Sequence, residues 1–291
     1  MKKTFILFLL LSLISCNNQH QGNSSSEKII TVSIAPFRYF VDAIAAGDFS
    51  VNVMVPPGSD PHIYEPVPGQ IAKLRASEGY ISNGYLGFEM TWLDRLYEVN
   101  PSMKRLNLGE SIEPIESEHH HEGDNIEGAD PHYWVSPMSA LKMAESVKEF
   151  LQELNPTASG KYEKNYTELT LKINELDKRC RDYFSQYKGK SFMIYHPNLA
   201  YLARDYGLNE IAVESDGKEP SPAQMKNLID ISEKENITTI FVQREYDTRN
   251  AKSIAAETGA EIVIIDPLSE DWYTSTSAII DSLYASLKGK R

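Results

Sequence analysis

Cysteine is scarce. The 291 residues carry only Cys16 and Cys180, too few for a disulfide framework or a Cys-rich zinc module. Positive charge is also short: 29 Lys and Arg stand against 41 Asp and Glu, a formal net charge of -12. Nucleic-acid binding rests on neutralising phosphates, so that class of partner is excluded. No apolar run reaches the about 20 residues that a bilayer-spanning helix needs. HExxH, GxSxG and Walker sequences are absent, which removes the compact signatures of metalloproteases, α/β-hydrolases and P-loop enzymes. What is present is ordinary globular material, 41% hydrophobic and 24% charged, long enough for two domains of roughly 130 residues each.

The first segment reads as an address. Lys2 and Lys3 precede an apolar run from Phe5 to Ile14, broken only by Ser12, which fits the core of a secretory signal. The run ends Leu13-Ile14-Ser15-Cys16 and resembles a bacterial lipobox, in which cleavage precedes a lipidated cysteine. Residues 1–15 are therefore expected to be a signal peptide. Residues 16–28, rich in Asn, Gln and Ser, should form a lipidated flexible tether starting at Cys16. Loss of Lys2 and Lys3 leaves 27 basic against 41 acidic residues, or -14.

From Ile29 onward, short apolar strands alternate with amphipathic helical patterns, which predicts parallel sheets built from βα units. In residues 29–156 the expected strands are Ile29–Ile34, Val51–Val55, Gly79–Ser82 and Lys104–Leu108. The helices are Pro36–Ala46, Gln70–Ser77, Phe88–Val99 and Ser139–Leu154. In residues 188–291 the strands are Ser191–Tyr195, Glu210–Glu214, Thr238–Val242 and Glu261–Ile265, with helices at Leu199–Tyr206, Pro222–Glu235, Thr248–Thr258 and Thr274–Leu287. Between the halves, Ala158 to Tyr187 has no proline. Tyr162, Tyr166, Leu169, Leu171, Ile173, Leu176 and Tyr183 recur there at helical spacing. A helix of about 30 residues, about 45 Å long, is expected to join the lobes across residues 157–187. The segment 113–129 holds His119, His120 and His121 among acidic residues with almost nothing to bury, and reads as a surface loop.

The other chemistry lies at strand ends. Asp60-Pro61-His62 follows a Gly58-Ser59 turn, and Asp130-Pro131-His132 precedes Tyr133-Trp134-Val135. His196 stops the apolar run Phe192–Tyr195, and Asp266 stops Ile262–Ile265. Ligands of open α/β sheets bind beyond the carboxyl ends of strands. Three imidazoles and one carboxylate also make a full tetrahedral set for a divalent metal. The intervals of 70, 64 and 70 residues match no compact metal motif. Each residue alone has a plainer reading as a satisfied polar group or, for Asp266, a turn residue. Together they account for every histidine outside the tether and the acidic loop. Glu65, Tyr195 and Glu214 are candidates to orient the imidazoles, and Trp134 to pack beside them.

These motifs resemble the solute-binding proteins of bacterial zinc/manganese ABC importers, the zinc-uptake family of the ZnuA/TroA type. The resemblance rests on Pro57-Gly58-Ser59-Asp60-Pro61-His62 with Tyr64-Glu65-Pro66, on Asn83-Gly84 and on Asp130-Pro131-His132-Tyr133-Trp134. It extends through His196 with Tyr201-Leu202-Ala203-Arg204-Asp205-Tyr206-Gly207-Leu208, Glu219-Pro220-Ser221-Pro222 and Asp266-Pro267-Leu268. It implies an α/β fold of two lobes, each a mostly parallel four-stranded sheet flanked by helices, joined by one long rigid helix, with metal in the interlobe cleft. It implies His62, His132, His196 and Asp266 as ligands and His119, His120 and His121 as an auxiliary capture loop. The implied function is a non-enzymatic, monomeric carrier that is lipid-anchored in the cell envelope and hands Zn²⁺ to an ABC permease. His196 stands where a carboxylate would accompany manganese, which favours zinc, although the same donor set can hold Mn²⁺. A secreted metallohydrolase and a metal-stabilised adhesin are the rival readings.

Overall fold

A computed structural model describes residues 27–116, 128–214, 218–246 and 248–289. Two four-stranded sheets form, wholly parallel among the described residues. The first contains β1 (Ile29–Ile34), β2 (Ser50–Val55), β3 (Ser77–Ser82) and β4 (Lys104–Asn107), in spatial order β2-β1-β3-β4. The second contains β5 (Ser191–Ile194), β6 (Asn209–Ala212), β7 (Thr239–Gln243) and β8 (Glu261–Ile265), in order β6-β5-β7-β8. In both sheets the chain starts at an inner strand, turns outward, then returns past it. Each sheet therefore has a switch point at its carboxyl edge, where a crevice opens.

Helices cover the sheets: α1 (Ala35–Ala45), α2 (Pro68–Arg75), α3 (Gly87–Val99) and α4 (Pro137–Leu154) in the first half. In the second are α6 (Ala200–Tyr206), α7 (Pro222–Lys234), α8 (Arg249–Thr258) and α9 (Trp272–Lys288). Between them runs α5 (Ser159–Phe184), 26 residues and about 39 Å. This is shorter than the sequence pattern predicts, because single 3₁₀ turns, Pro156–Ala158 and Ser185–Tyr187, replace the α-helix at both ends. Tighter last turns of this kind are common at helix ends. A second difference is at α2, which stops at Arg75. Ser77 pairs with Ile29 instead, as the first residue of β3.

The linking helix is fastened along its length. Tyr162, Leu169, Ile173, Leu176, Cys180 and Phe184 form its buried stripe. Near its start, Lys161 Nζ lies 2.8 Å from Asp48, the Tyr162 hydroxyl donates to the same carboxylate at 2.9 Å, and Asn165 donates to the Ile44 carbonyl. Near its end, Arg179 donates to Ser277 of α9 and Tyr183 stacks on Tyr284 with ring centroids 3.9 Å apart. The Cys180 thiol is buried, which pushes its pKa up to about 12. It is a packing residue, not a reactive one.

The lobes are fused as well as linked. One continuous apolar cluster contains Ile30 and Val32 of the first sheet, Phe192, Ile194 and Phe241 of the second, and Trp134 and Trp272 between them. Trp134 donates its indole N–H to the Pro267 carbonyl at 2.8 Å, and Trp272 donates its own to the Trp134 carbonyl at 2.7 Å. Both indoles are almost fully buried. These bonds tie the segment after His132 to the segment after Asp266, one from each lobe. Among the described residues no helix is long and apolar enough to cross a membrane.

Replacing Trp272 by Phe keeps most of the apolar volume but leaves the Trp134 carbonyl without its donor. An unsatisfied buried acceptor costs about 1–3 kcal/mol. Chemical denaturation should show a loss of that size, and unchanged stability would mean the bond contributes nothing to holding the lobes together.

Candidate metal centre

Two Asp-Pro-His segments use one local device. The Asp60 carboxylate accepts the His62 backbone N–H at 2.8 Å, and the Asp130 carboxylate accepts that of His132 at 2.7 Å. These are Asx turns, in which an aspartate satisfies the amide two residues on, while the intervening proline fixes the backbone. Each turn presents a histidine at a set angle. In the second segment the same Asp130 oxygen also lies 2.9 Å from His132 Nδ1. That nitrogen must carry the proton, because the carboxylate can only accept. His132 Nε2 is left with a lone pair.

His196 follows β5 and repeats the arrangement with a different partner. Its Nδ1 lies 3.0 Å from Glu214 Oε1, so its Nε2 also bears a lone pair. The ring stacks on Tyr246, centroids 4.6 Å apart and 14° from parallel. Burial is the main influence on its pKa and lowers it from the usual 6.5, so the imidazole stays neutral further into acid; Glu214 opposes that shift.

The three imidazoles meet. His196 Nε2 is 3.2 Å from His62 Nε2 and 3.4 Å from His132 Nε2. Among the described residues, His62, His132 and His196 form the group able to converge on one cation. A tetrahedral metal with bonds of about 2.0–2.1 Å to nitrogen sets its ligands about 3.3–3.4 Å apart, close to the separations of His196 from His62 and from His132. Two lone pairs facing each other at 3.4 Å make no hydrogen bond, whereas a cation between them makes two bonds. The surrounding cleft is lined by Pro61, His62, His132, Trp134, His196, Gln243, Tyr246 and Leu268. His132 and His196 are buried and His62 is half-buried, so the site opens to solvent on the His62 side.

Asp266 stands at the end of β8, in the position that the sequence pattern gives it. Its carboxylate is not part of the imidazole cluster and instead pairs with Arg244, Nη1 to Oδ2 3.2 Å. Of the three candidate orienting residues, Glu214 contacts an imidazole. Tyr195 is buried with its ring against Tyr246, and Glu65 is exposed. Trp134 packs beside His132, ring centroids 5.3 Å apart. Cys16, His119, His120 and His121 lie outside the described residues.

A supporting shell holds the loops. The Glu89 carboxylate is buried in the first lobe, which raises its pKa. It accepts from the Ser33 hydroxyl and from the backbone N–H groups of Asn83 and Gly84 at 2.7 and 2.6 Å. Asn83 then donates to the Pro131 carbonyl at 3.0 Å, and its own carbonyl accepts the Tyr133 hydroxyl at 2.7 Å. The Asn83-Gly84 turn thus braces the His132 segment from below. Gly84 has φ +98°, and a Cβ there would sit 2.9 Å or less from the Asn107 side chain, so glycine is required. Gly87 lets α3 approach the His62 backbone, since a Cβ would lie 2.5 Å from the His62 carbonyl oxygen. Asp130, Tyr246 and Glu89 are site residues that the sequence pattern does not single out. Only Asp130 carries a visible signal, its repetition of the Asp60-Pro61-His62 pattern.

Residues 30–285 match the family described as ZnuA, the periplasmic component A of the zinc-uptake complex. The chain belongs to this family. It is 30% identical over 284 residues to the zinc-binding lipoprotein AdcA of Streptococcus pneumoniae, covering 92% of this chain and 56% of that protein. It therefore spans little more than half the length of that relative. It is 27% identical to the high-affinity zinc uptake system protein ZnuA of Bacillus subtilis, covering 90% of this chain and 85% of that one. A crystal structure of ZnuA superposes with a TM-score of 0.83 at 35% identity, covering 90% of this chain and 99% of the other. A zinc-bound ZnuA deletion mutant does so with 0.83 at 34%, covering 91% and 100%.

Gly87→Ala should displace the His62 loop, because the new methyl meets backbone rather than a movable side chain. Metal affinity is expected to fall by more than tenfold while circular dichroism shows the fold retained. Wild-type affinity in that variant would show that the close approach of α3 does not position His62.

Proposed function

We propose that this chain is the zinc-capturing component of an ABC metal importer, binding one Zn²⁺ outside the cytoplasmic membrane and passing it to a permease. The observation that carries this reading is the convergence of three imidazoles, with His196 Nε2 3.2 Å from that of His62 and 3.4 Å from that of His132, and the lone pairs of His132 and His196 turned inward. The zinc named in its relatives and in the ZnuA neighbour supports the choice of cargo. The ligands are His62, His132 and His196, with Asp266 as the fourth donor once its side chain turns from Arg244. A mainly imidazole set favours zinc over manganese, which prefers oxygen. Four protein donors leave no open coordination position, unlike a catalytic zinc, which fits a carrier rather than an enzyme.

The carrier is anchored through a lipid on Cys16 after removal of residues 1–15, with residues 16–28 as the tether, and acts as a monomer. The lobes correspond to residues 29–156 and 188–291, with 157–187 between them. His119, His120 and His121 serve as a low-affinity collecting loop. The fused core argues against wide opening of the lobes. Zinc would enter and leave from the half-buried His62 side, which is also the face a permease must reach. The negative charge of the chain draws cations toward it.

Competitive zinc titration tests this. Wild type should bind one zinc tightly, and His62→Ala should lose most of that affinity while remaining folded. Glu214→Gln, which weakens the hold on His196 Nδ1, should cost about 10- to 100-fold. Retained tight binding in His62→Ala would remove the site.

Acidity should act in one direction. Zinc and protons compete for neutral imidazoles, so affinity should be flat near neutrality and fall as pH drops through the ordinary histidine range near 6.5. Burial lowers the pKa of His196, so that imidazole stays neutral further into acid. A zinc affinity that stays constant from pH 8 to 5 would contradict ligation by histidine.

A further inference from the structure

Asp266 has a close cationic partner whose position is set by the sheet. Gln243 pairs with Ile265 in the β7–β8 ladder. The ladder extends one step further, because the Arg244 N–H donates to the Ile265 carbonyl at 3.1 Å. Strand register thus sets Arg244 beside Asp266, and the side chains form an ion pair of 3.2 Å. The Asp266 main chain is fixed separately. Its carbonyl accepts the Ser275 hydroxyl of α9 and the Ser269 N–H. The backbone is therefore anchored, and side-chain rotation alone decides where the carboxylate points. Turned to Arg244, it is not among the groups that converge with the imidazoles.

We infer that Arg244 is a specificity-determining residue that competes with the bound cation for the Asp266 carboxylate. The inference rests on the reading of Asp266 as fourth donor. The competition affects metals unequally. Zinc takes most of its binding from three imidazoles, which Arg244 does not touch. Manganese depends more on oxygen donors, so withholding Asp266 weakens manganese more. The arginine is two-thirds exposed, so the pair is loose enough for a cation to displace. Glu245 and Asp60 lie close enough to act electrostatically on the same neighbourhood, so Arg244 also offsets local negative charge. That general effect must be separated from the specific one.

A double-mutant cycle on the full chain separates them. Affinities for Zn²⁺ and Mn²⁺ are measured by competition for wild type, Arg244→Gln, Asp266→Asn and the double variant. Arg244→Gln should tighten Mn²⁺ by about two- to five-fold and Zn²⁺ by less, and both gains should vanish when Asp266 is Asn. Weaker binding in Arg244→Gln would mean that the arginine steadies a ligating carboxylate, and overturns the inference. So would no change, or an equal gain with and without Asp266, the mark of a general charge effect. Wild-type affinity for both metals in Asp266→Asn would overturn the fourth-donor reading and this inference with it, leaving the three-histidine site standing. Loss of that site itself would appear in His62→Ala.

Discussion

The structure depends on holding two lone pairs face to face. His132 and His196 each have Nδ1 against a carboxylate, Asp130 and Glu214, and their Nε2 atoms therefore confront each other at 3.4 Å without a shared proton. Left free, the rings would rotate or separate. They stay because each is fixed at its far nitrogen and on its face, His132 beside Trp134 and His196 against Tyr246. Second partners of this kind fix tautomer and angle, and raise ligand basicity. The unfavourable meeting of the nitrogens is relieved when a cation lies between them, so the protein's rigidity is turned into affinity.

That rigidity has a visible source. His132 and His196 come from opposite lobes, so any slack between lobes would blur the 3.4 Å spacing. The shared apolar core and the paired indole bonds of Trp134 and Trp272 remove that slack. The linking helix α5 adds a second fastening on the far side, bonded to Asp48 and Ile44 at one end and to Ser277 at the other. The less buried parts of the site are the half-buried His62 and the Asp266 side chain, which is paired with the exposed Arg244.

Much of this was legible in the chain. Alternating apolar strands and amphipathic helices give the two parallel sheets, and an uninterrupted helical stripe gives α5. His196 announces itself by standing where an apolar strand stops, and His62 and His132 by the repeated Asp-Pro-His pattern. The remainder was hidden for physical reasons. The Asp130 contact with His132 is a matter of side-chain rotamer, which spacing does not reveal. Tyr246 reaches His196 because β7 lies next to β5, a neighbour relation 50 residues apart in sequence. The indole bonds of Trp134 and Trp272 join residues 133 and 138 apart. Asp266 stands out in the sequence by its position after an apolar strand, but its pairing with Arg244 follows from ladder register, which only the folded sheet supplies. The end of α2 is ambiguous in sequence because Ser77 suits either a last helical turn or a strand, and pairing with Ile29 decides it.

The central claim is that three imidazole Nε2 atoms converge on one tetrahedral cation. X-ray absorption at the zinc edge of the loaded chain tests it most directly. Three imidazole nitrogens at about 2.0–2.1 Å with a single oxygen donor is the spectrum the account predicts. Fewer than three imidazoles, or a six-coordinate shell dominated by oxygen, would contradict it.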